Sequence, residues 1–465
     1  MLAGKPAGRV EILPEPDVLY LPLRSRRFVF SELFVKDAQR VAIGHVLARD
    51  PENYSVPLLA PREGTVRLDA VEGHIVLDEI APIGKGPSRT LKDAPHVPKD
   101  LGLGSVGMKR YKLLELGAWQ FMYDAHTQSL PDPFSTPRAV IVSAMCLEPF
   151  GARGDVQLHK RLSRFTRGLE QLQGLLEYQP IYLVVPDVKS DFAARVRQVL
   201  RGYAWVKLIQ IPLRYPFDNF TILARALGFK VDPDDPVWAL RTEGVLAIDR
   251  ALTLSHPCTV RIVSLAGPGV VSPLHLKAIP GYPLQAILQG RGKDAPLRVI
   301  DGGVLTGETV GEKQLGLQAE CSGLTVLSEQ TDRELLSFAR PGWNRRSYSR
   351  CFLSSLRGAF VRCDTTGLRG EKRPCVGCGL CENVCPARIM PHLIHRLLYA
   401  DELEQIERVG VDLCAACGLC SYVCPSKIEL LGEIYDAREA IERELHGGDG
   451  SEAPTQQPST SEAGA

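Results

Sequence analysis

The chain has 465 residues, enough for about three domains or more, and its 55 basic side chains nearly cancel its 54 acidic ones. A net charge of +1 with 45% hydrophobic residues predicts ordinary packed cores and no nucleic-acid partner. No N-terminal apolar signal core is present, and the longest apolar runs, such as Ile181-Tyr182-Leu183-Val184-Val185, fall far short of the ~20 residues of a spanning helix. The expectation is a soluble or membrane-peripheral chain without a transmembrane segment.

Residues 1–92 read as strand-rich. Leu33 to Asp37 and Gly44 to Ala48 alternate like the arms of a hairpin, followed by Val56-Pro57-Leu58-Leu59-Ala60-Pro61 and Gly64-Thr65-Val66. This rhythm resembles the lipoyl/biotinyl-carrier β-sandwich, but no lysine stands at the hairpin tip where such domains carry their cofactor, so a structural module is expected. A proline-rich, charged connection runs from Pro82 to Pro98.

Residues 100–235 alternate helix and strand signals. Lys112 to Phe121, Leu158 to Leu176 and Phe192 to Leu200 read as helices, the second with Leu162, Phe165, Leu169, Leu172 and Leu176 at helical spacing. Ala139 to Ala144 and Ile181 to Val185 read as buried strands and Val206 to Ile211 as a further strand, an α/β pattern that predicts a largely parallel sheet. Residues 240–335 return to strands: Thr259 to Leu265, a turn at Ala266-Gly267-Pro268-Gly269, a short helix opened by Gly281 to Leu288, and Val299 to Leu305 with a glycine turn. A β-grasp-like domain fits this segment.

Gly102, Gly104 and Gly107 spell G-x-G-x-x-G. No strand precedes them and no acidic residue follows at the right distance, so a dinucleotide fingerprint is not indicated. The run, with Lys112-Leu113 after it, resembles instead the glycine loop that holds flavin phosphate in the flavin subunit of respiratory complex I and in Rnf C-type subunits. Those families follow the loop with a strand ending in E-x-E-P. Here Glu148-Pro149 matches, while Met145 or Cys146 stands for the first glutamate and Met108-Lys109-Arg110 replaces the loop's F-P-T. FMN is the cofactor such a loop would hold. The alternative is a scaffold that kept the fold and lost the ligand.

Residues 336–446 hold the strongest signal. Cys375, Cys378, Cys381 and Cys385 precede Pro386, and Cys414, Cys417, Cys420 and Cys424 precede Pro425. Each run reads C-x₂-C-x₂-C-x₃-C-P, the pattern of two-cluster bacterial ferredoxins, in which the fourth cysteine ligates the other cluster. The expectation is two [4Fe–4S] clusters with crossed ligands. Cys375, Cys378, Cys381 and Cys424 would hold one, and Cys414, Cys417, Cys420 and Cys385 the other. Gly377, Gly379 and Gly418 would let the backbone approach the sulfurs. Zinc prefers paired cysteines far apart, often with histidine, and disulfide frameworks belong to short secreted chains. Cys146, Cys258, Cys321, Cys351 and Cys363 show no paired spacing, which suits a reducing compartment. His392 and His395 read as surface helix residues, either able to tune a potential by hydrogen bonding. A last helix with Leu430, Leu431, Ile434, Ala437, Ile441 and Leu445 on one face packs on this domain, and residues 447–465 read as disordered.

The fold class expected is therefore multidomain α+β: a lipoyl-like β-sandwich, an α/β parallel-sheet domain, a β-grasp-like domain and a helical dicluster ferredoxin domain. Leu113 to Trp119, Thr136 to Met145, Leu265 to Pro268, Arg298 to Leu305, Pro341 to Asn344 and Val423 to Lys427 resemble, in their order, the NqrA family of the sodium-translocating NADH:quinone reductases. Typical NqrA chains lack most of the cysteines; the related Rnf C-type chain keeps both motifs. The resemblance implies a peripheral electron-transfer subunit on the cytoplasmic face of the inner membrane. Its partners would be integral-membrane subunits of an Nqr/Rnf-type complex, with quinone, NADH or ferredoxin as redox partners. The readings left open beside it are a flavin-dependent NADH dehydrogenase of an Rnf-type ferredoxin:NAD⁺ complex and an adaptor whose clusters only stabilise the fold.

Overall fold

The computed structural model describes residues 4–81, 104–176, 179–188, 190–232, 234–329, 353–356 and 373–446. The chain divides into two compact units, Met1–Glu371 and Lys372–Ala465. The expected features at 82–98, 341–344 and 447–465 lie outside the described residues.

The first unit begins with β1 (Val10–Ile12), β2 (Leu19–Pro22), β3 (Glu32–Leu33), β4 (Arg40–Val41), β5 (Val46–Asp50), β6 (Val56–Leu59), β7 (Gly64–Arg67) and β8 (His74–Asp78). Strands β2-β8-β7-β4 form one antiparallel sheet and β3-β5-β6 another. Leu33 pairs with Ala48, so the expected hairpin arms do meet. Between them β4 leaves for the other sheet, where Val41 pairs with Gly64. Leu19, Leu21, Leu47, Leu58, Ile75 and Leu77 are buried in the core of this region. Pro57 sits in β6, an edge strand, the one sheet position where a missing N–H is tolerated.

The α/β region follows with α1 (Gly104–Glu115), β9 (Met122–Asp124), β10 (Ala139–Ser143), α2 (Gly154–Gln157), α3 (Leu162–Gln173), β11 (Ile181–Pro186), α4 (Asp191–Val199), β12 (Val206–Ile211), α5 (Phe220–Ala226), β13 (Val237–Arg241) and α6 (Thr242–Leu254). The sheet order is β12-β11-β10-β13-β9. The first four strands are parallel and β9 is antiparallel. From β10 the chain winds one way through β11 and β12, and then returns to the other side of β10 as β13. Val140 and Val142 face one core, with Phe165 and Leu169 of α3 and Val245 and Ile248 of α6; Ala139 and Ile141 face the other, with Phe220 and Leu223 of α5. A strand covered on both faces reads as an unbroken apolar run. Helices α3 and α6 pack closely at Gly168, where a Cβ would lie 2.3 Å from the Val245 carbonyl.

Two helices differ from expectation. Helix α1 starts at Gly104 and ends near Gly117, whose φ of +72° reverses the chain before Trp119. Lys112 to Phe121 is therefore the end of one helix and a 3₁₀ turn, not a helix of its own. The long helix expected from Leu158 begins only at Leu162, because Lys160 takes φ +57° and interrupts it. Leu158 is still buried, so apolar spacing continues across a break it cannot reveal. Strand β13 and helix α6 complete the α/β sheet beyond residue 235.

The next strands are β14 (Arg261–Ala266), β15 (Leu274–Ala278), β16 (Leu297–Asp301), β17 (Glu308–Thr309) and β18 (Gly323–Ser328), with α7 (Leu284–Leu288). Their mixed sheet has the order β1-β15-β14-β18-β16-β17. The N-terminal strand β1 thus pairs here, Val10 with His275, and not with the strands that follow it in sequence. Arg27 joins the three regions: its guanidinium donates to the carbonyls of Gln120 and Met122, lies 4.1 Å from the Tyr123 ring centroid, and its N–H donates to Glu320.

The second unit is helical: α8 (Leu380–Asn383), α9 (Pro391–Leu398), α10 (Leu403–Arg408), α11 (Leu419–Val423) and α12 (Leu430–His446). Leu430, Leu431, Ile434, Ala437 and Ile441 of α12 are buried, as the apolar stripe predicts.

Candidate metal centre and a second cavity

The two cysteine runs fold as copies of one another. Gly377 and Gly379 have φ of +65° and +70°, and Ala416 and Gly418, at the same offsets, have +50° and +72°. Left-handed backbone at these places explains the glycines, and Ala416 holds the conformation despite its Cβ. Gly379 and Gly418 cap α8 and α11. After the fourth cysteine and its proline, Arg388 and Lys427 again match at +56° and +59°. Ile389 and Ile428, one residue on, are both buried.

Long-range hydrogen bonds bring the end of the second run to the start of the first. Arg373 N–H donates to the Ser426 carbonyl at 2.9 Å, and Ser426 Oγ donates to the Pro374 carbonyl at 2.9 Å. Cys375, Cys378, Cys381 and Cys424 line one narrow cavity together with His392. Cys385 lies close enough to Cys417 and Cys420 to interact electrostatically with both. Among the described residues no three His, Cys, Asp or Glu side chains stand at metal-binding spacing.

The donor chemistry nonetheless fits iron–sulfur ligation. Burial pushes the Cys417 thiol up to about 11 and Cys420 up to about 12, and neighbouring thiols push both further the same way. Such crowded thiols become thiolates only where positive charge completes the site. Arg438 of α12 donates to the carbonyls of Val411, Asp412 and Cys414 and so fixes the start of the second run. The remaining described cysteines are chemically quiet: burial raises Cys146 and Cys258 to about 12 and Cys321 well above its ordinary value. No described cysteine is in a disulfide.

Neither histidine is a free surface residue. His392 Nδ1 is 3.8 Å from Cys381 Sγ. His395 Nδ1 pairs with Glu433 Oε2 at 2.6 Å, with both side chains about nine-tenths covered, and thereby ties α9 to α12.

The second cavity, of about 480 Å³, opens over the carboxyl ends of β10, β11 and β12. This is where ligands of doubly wound sheets bind. Its wall includes the Ala144 to Phe150 loop, Asp155, Ser190 and Lys5. Of the glycine run, Gly102 lies outside the described residues, while Gly104 and Gly107 fall in the first turn of α1, with no described strand before them. Glu148, which the flavin-loop resemblance singles out, is occupied structurally. Its Oε1 accepts from the N–H groups of Leu305 and Thr306 at 3.1 and 2.9 Å, and its Oε2 accepts from Thr306 Oγ1 at 2.8 Å. Burial raises its carboxyl above the ordinary range while these donors partly offset the rise. Sequence reasoning missed Arg241, which donates to the Met145 carbonyl at 2.8 Å and to Asp218 at 3.3 Å, and so holds the loop after β10. An arginine ending an apolar strand was its only signal.

Fold and site together define a class: a multidomain α/β protein that ends in a helical unit with a doubled cluster-type cysteine run. Residues 108–254 match the NqrA second alpha/beta domain, residues 262–312 the NQRA C-terminal domain, and residues 368–425 a 4Fe-4S dicluster domain. Similar proteins include the NqrA chain of the Na(+)-translocating NADH-quinone reductase from Pseudomonas aeruginosa, 28% identical over 377 residues, with 81% of this chain and 82% of the relative covered. Its counterpart from Serratia proteamaculans is 26% identical, covering 88% and 89%, and that from Vibrio vulnificus 27% identical, covering 88% and 87%. The chain thus carries segments that match NqrA domains, followed by one that matches a 4Fe–4S dicluster domain.

Proposed function

We propose that this chain is a peripheral iron–sulfur electron-transfer subunit of a membrane-bound NADH:quinone reductase related to the sodium-translocating enzyme. The observation that carries the proposal is the doubled cysteine run, folded as two matching loops whose fourth cysteines approach the opposite set. Cys375, Cys378, Cys381 and Cys424 would hold one [4Fe–4S] cluster and Cys414, Cys417, Cys420 and Cys385 the other; such groups supply one-electron redox chemistry when bound. The left-handed residues at 377, 379, 416 and 418 turn the loops, and α12 clamps the second through Arg438. No described helix is long and apolar enough to cross a membrane. The likeness to chains of a sodium-translocating NADH-quinone reductase supports docking onto integral-membrane subunits at the cytoplasmic face, within a complex of that kind. Iron analysis and EPR of anaerobically purified protein test the reading: about eight irons per chain and two interacting cubane signals are expected, and far fewer irons would sink it.

The cavity over the parallel sheet supports a second reading, in which this chain itself binds FMN, NADH or quinone, as a component of an Rnf-type ferredoxin:NAD⁺ complex would. Flavin released from the purified chain, or bleaching of its absorbance by NADH, would favour that reading. Calorimetric titration with FMN, NADH and a short-chain quinone showing no binding would remove it.

A further inference from the structure

Resting on the two-cluster reading, a comparison of the matching loops shows that the two sites are not equivalent. Cys381 Sγ stands 3.8 Å from Nδ1 of His392, at the start of α9 and within hydrogen-bond reach for sulfur. In the second run the position of His392 is taken by Leu431, which carries no donor side chain. The backbone N–H of Leu431, at the start of α12, donates to Ser421 Oγ at 2.9 Å. Ser421 stands where the first run has Glu382. The second run keeps a local loop donor, Ala416 N–H to Cys414 Sγ at 3.3 Å. The next helix thus brings a ring nitrogen to a sulfur in the first run, whereas at the matching place in the second it offers an apolar side chain and its N–H is spent on a serine.

Exposure differs in the same direction. In the first set Cys378 is exposed and Cys375 half-buried, with only Cys381 fully buried, whereas in the second Cys414, Cys417 and Cys420 are all buried; Cys424 and Cys385, the fourth members, are both half-buried. Reduction adds negative charge, and hydrogen bonds to the sulfurs and access to water both stabilise it, which raises a cluster's potential.

We propose that the site formed by Cys375, Cys378, Cys381 and Cys424 has the higher reduction potential, set by the His392 donor at Cys381 Sγ and by its exposure, so that an electron on the chain rests there. His392 acts as a positioning donor and Ser421 as the residue that diverts the Leu431 N–H from the second site.

The test is an EPR-monitored titration of the full chain with dithionite at fixed pH. Two one-electron waves separated by at least a tenfold preference, about 59 mV, are expected. His392→Leu, which copies the second loop, should lower only the higher wave. His392→Asn, which keeps an N–H near the Nδ1 position, should leave that wave close to the parent. Ser421→Ala, which frees the Leu431 N–H, should raise only the lower wave. Should His392→Leu fail to fold, the Asn and Ala variants still decide the matter. Two cubanes whose waves coincide, or a His392→Leu shift in the lower wave, overturn this inference while leaving the two-cluster reading intact. A chain without cubane signals overturns both.

Discussion

In the first unit the interior is made of aromatic and aliphatic side chains. Trp119 and Trp238 are fully buried edge to face at 5.2 Å, and the Trp119 indole N–H donates to the Pro131 carbonyl. In the cysteine unit the core is small, and Cys381, Cys414 and Cys420 belong to it beside Ile389, Ile394, Ile428 and Ile434. Apolar burial grows with core size and needs no ligand. A small core built partly from crowded thiols depends on what those thiols bind. The difference teaches that one chain can keep an apolar scaffold and a cysteine-lined unit under separate sources of stability.

On the two-cluster proposal, the strongest way to break this comparison is to remove the iron. Stripping it with a chelator should cost the cysteine unit roughly 10 kcal/mol, the scale of structural metal centres in small domains. Hydrogen exchange would then show residues 373–446 losing protection while the parallel sheet keeps its own. Equal loss in both regions would refute the comparison. Trp119→Ala should act on the opposite side. It removes a fully buried aromatic and destabilises the first unit by about 3–5 kcal/mol, read as a lower denaturant midpoint with the iron content unchanged. A smaller loss is expected from Glu148→Ala, which leaves the half-buried donors of Leu305 and Thr306 without their acceptor at about 1 kcal/mol. Glu148→Gln should recover part of it in the same unfolding measurement.

The smallest effect sharpens the comparison through pH. Asp301 is only partly covered as a residue, yet its Oδ2 is out of solvent without a hydrogen-bond partner. Desolvation pushes its carboxyl up to about 7, against a smaller opposing effect of the Cys321 thiol. A carboxyl raised in the folded state favours folding when protonated. Its contribution is complete below about 4 and fades as pH rises through about 7. Asp301→Asn should therefore flatten the fall in stability between about pH 4 and about pH 8, on the order of 1 kcal/mol given the partial exposure. A parent and variant with parallel pH profiles would dismiss Asp301 as the source.

Much of this was legible in sequence, for a local reason. The two cysteine runs are set by spacing within single loops, and the left-handed glycines at 377, 379 and 418 lie in the same loops. The buried strands at Ala139 and Ile181 announce themselves because both faces of a parallel sheet are covered. Break points are less visible. Lys160 interrupts a helix whose apolar period runs on through Leu158, since both sides of the break bury against the same core.

The sequence by itself determined the doubled cysteine pattern and the alternation of strand and helix, because both are written in neighbouring residues. Only the tertiary structure decided that β1 pairs with β15, that Glu148 is consumed by a loop more than a hundred residues away, and that His392 faces Cys381 where Leu431 stands in the second loop. Each depends on which distant segments share a surface. Hydrogen bonds and packing across long sequence separations select that pairing, and no local pattern records it.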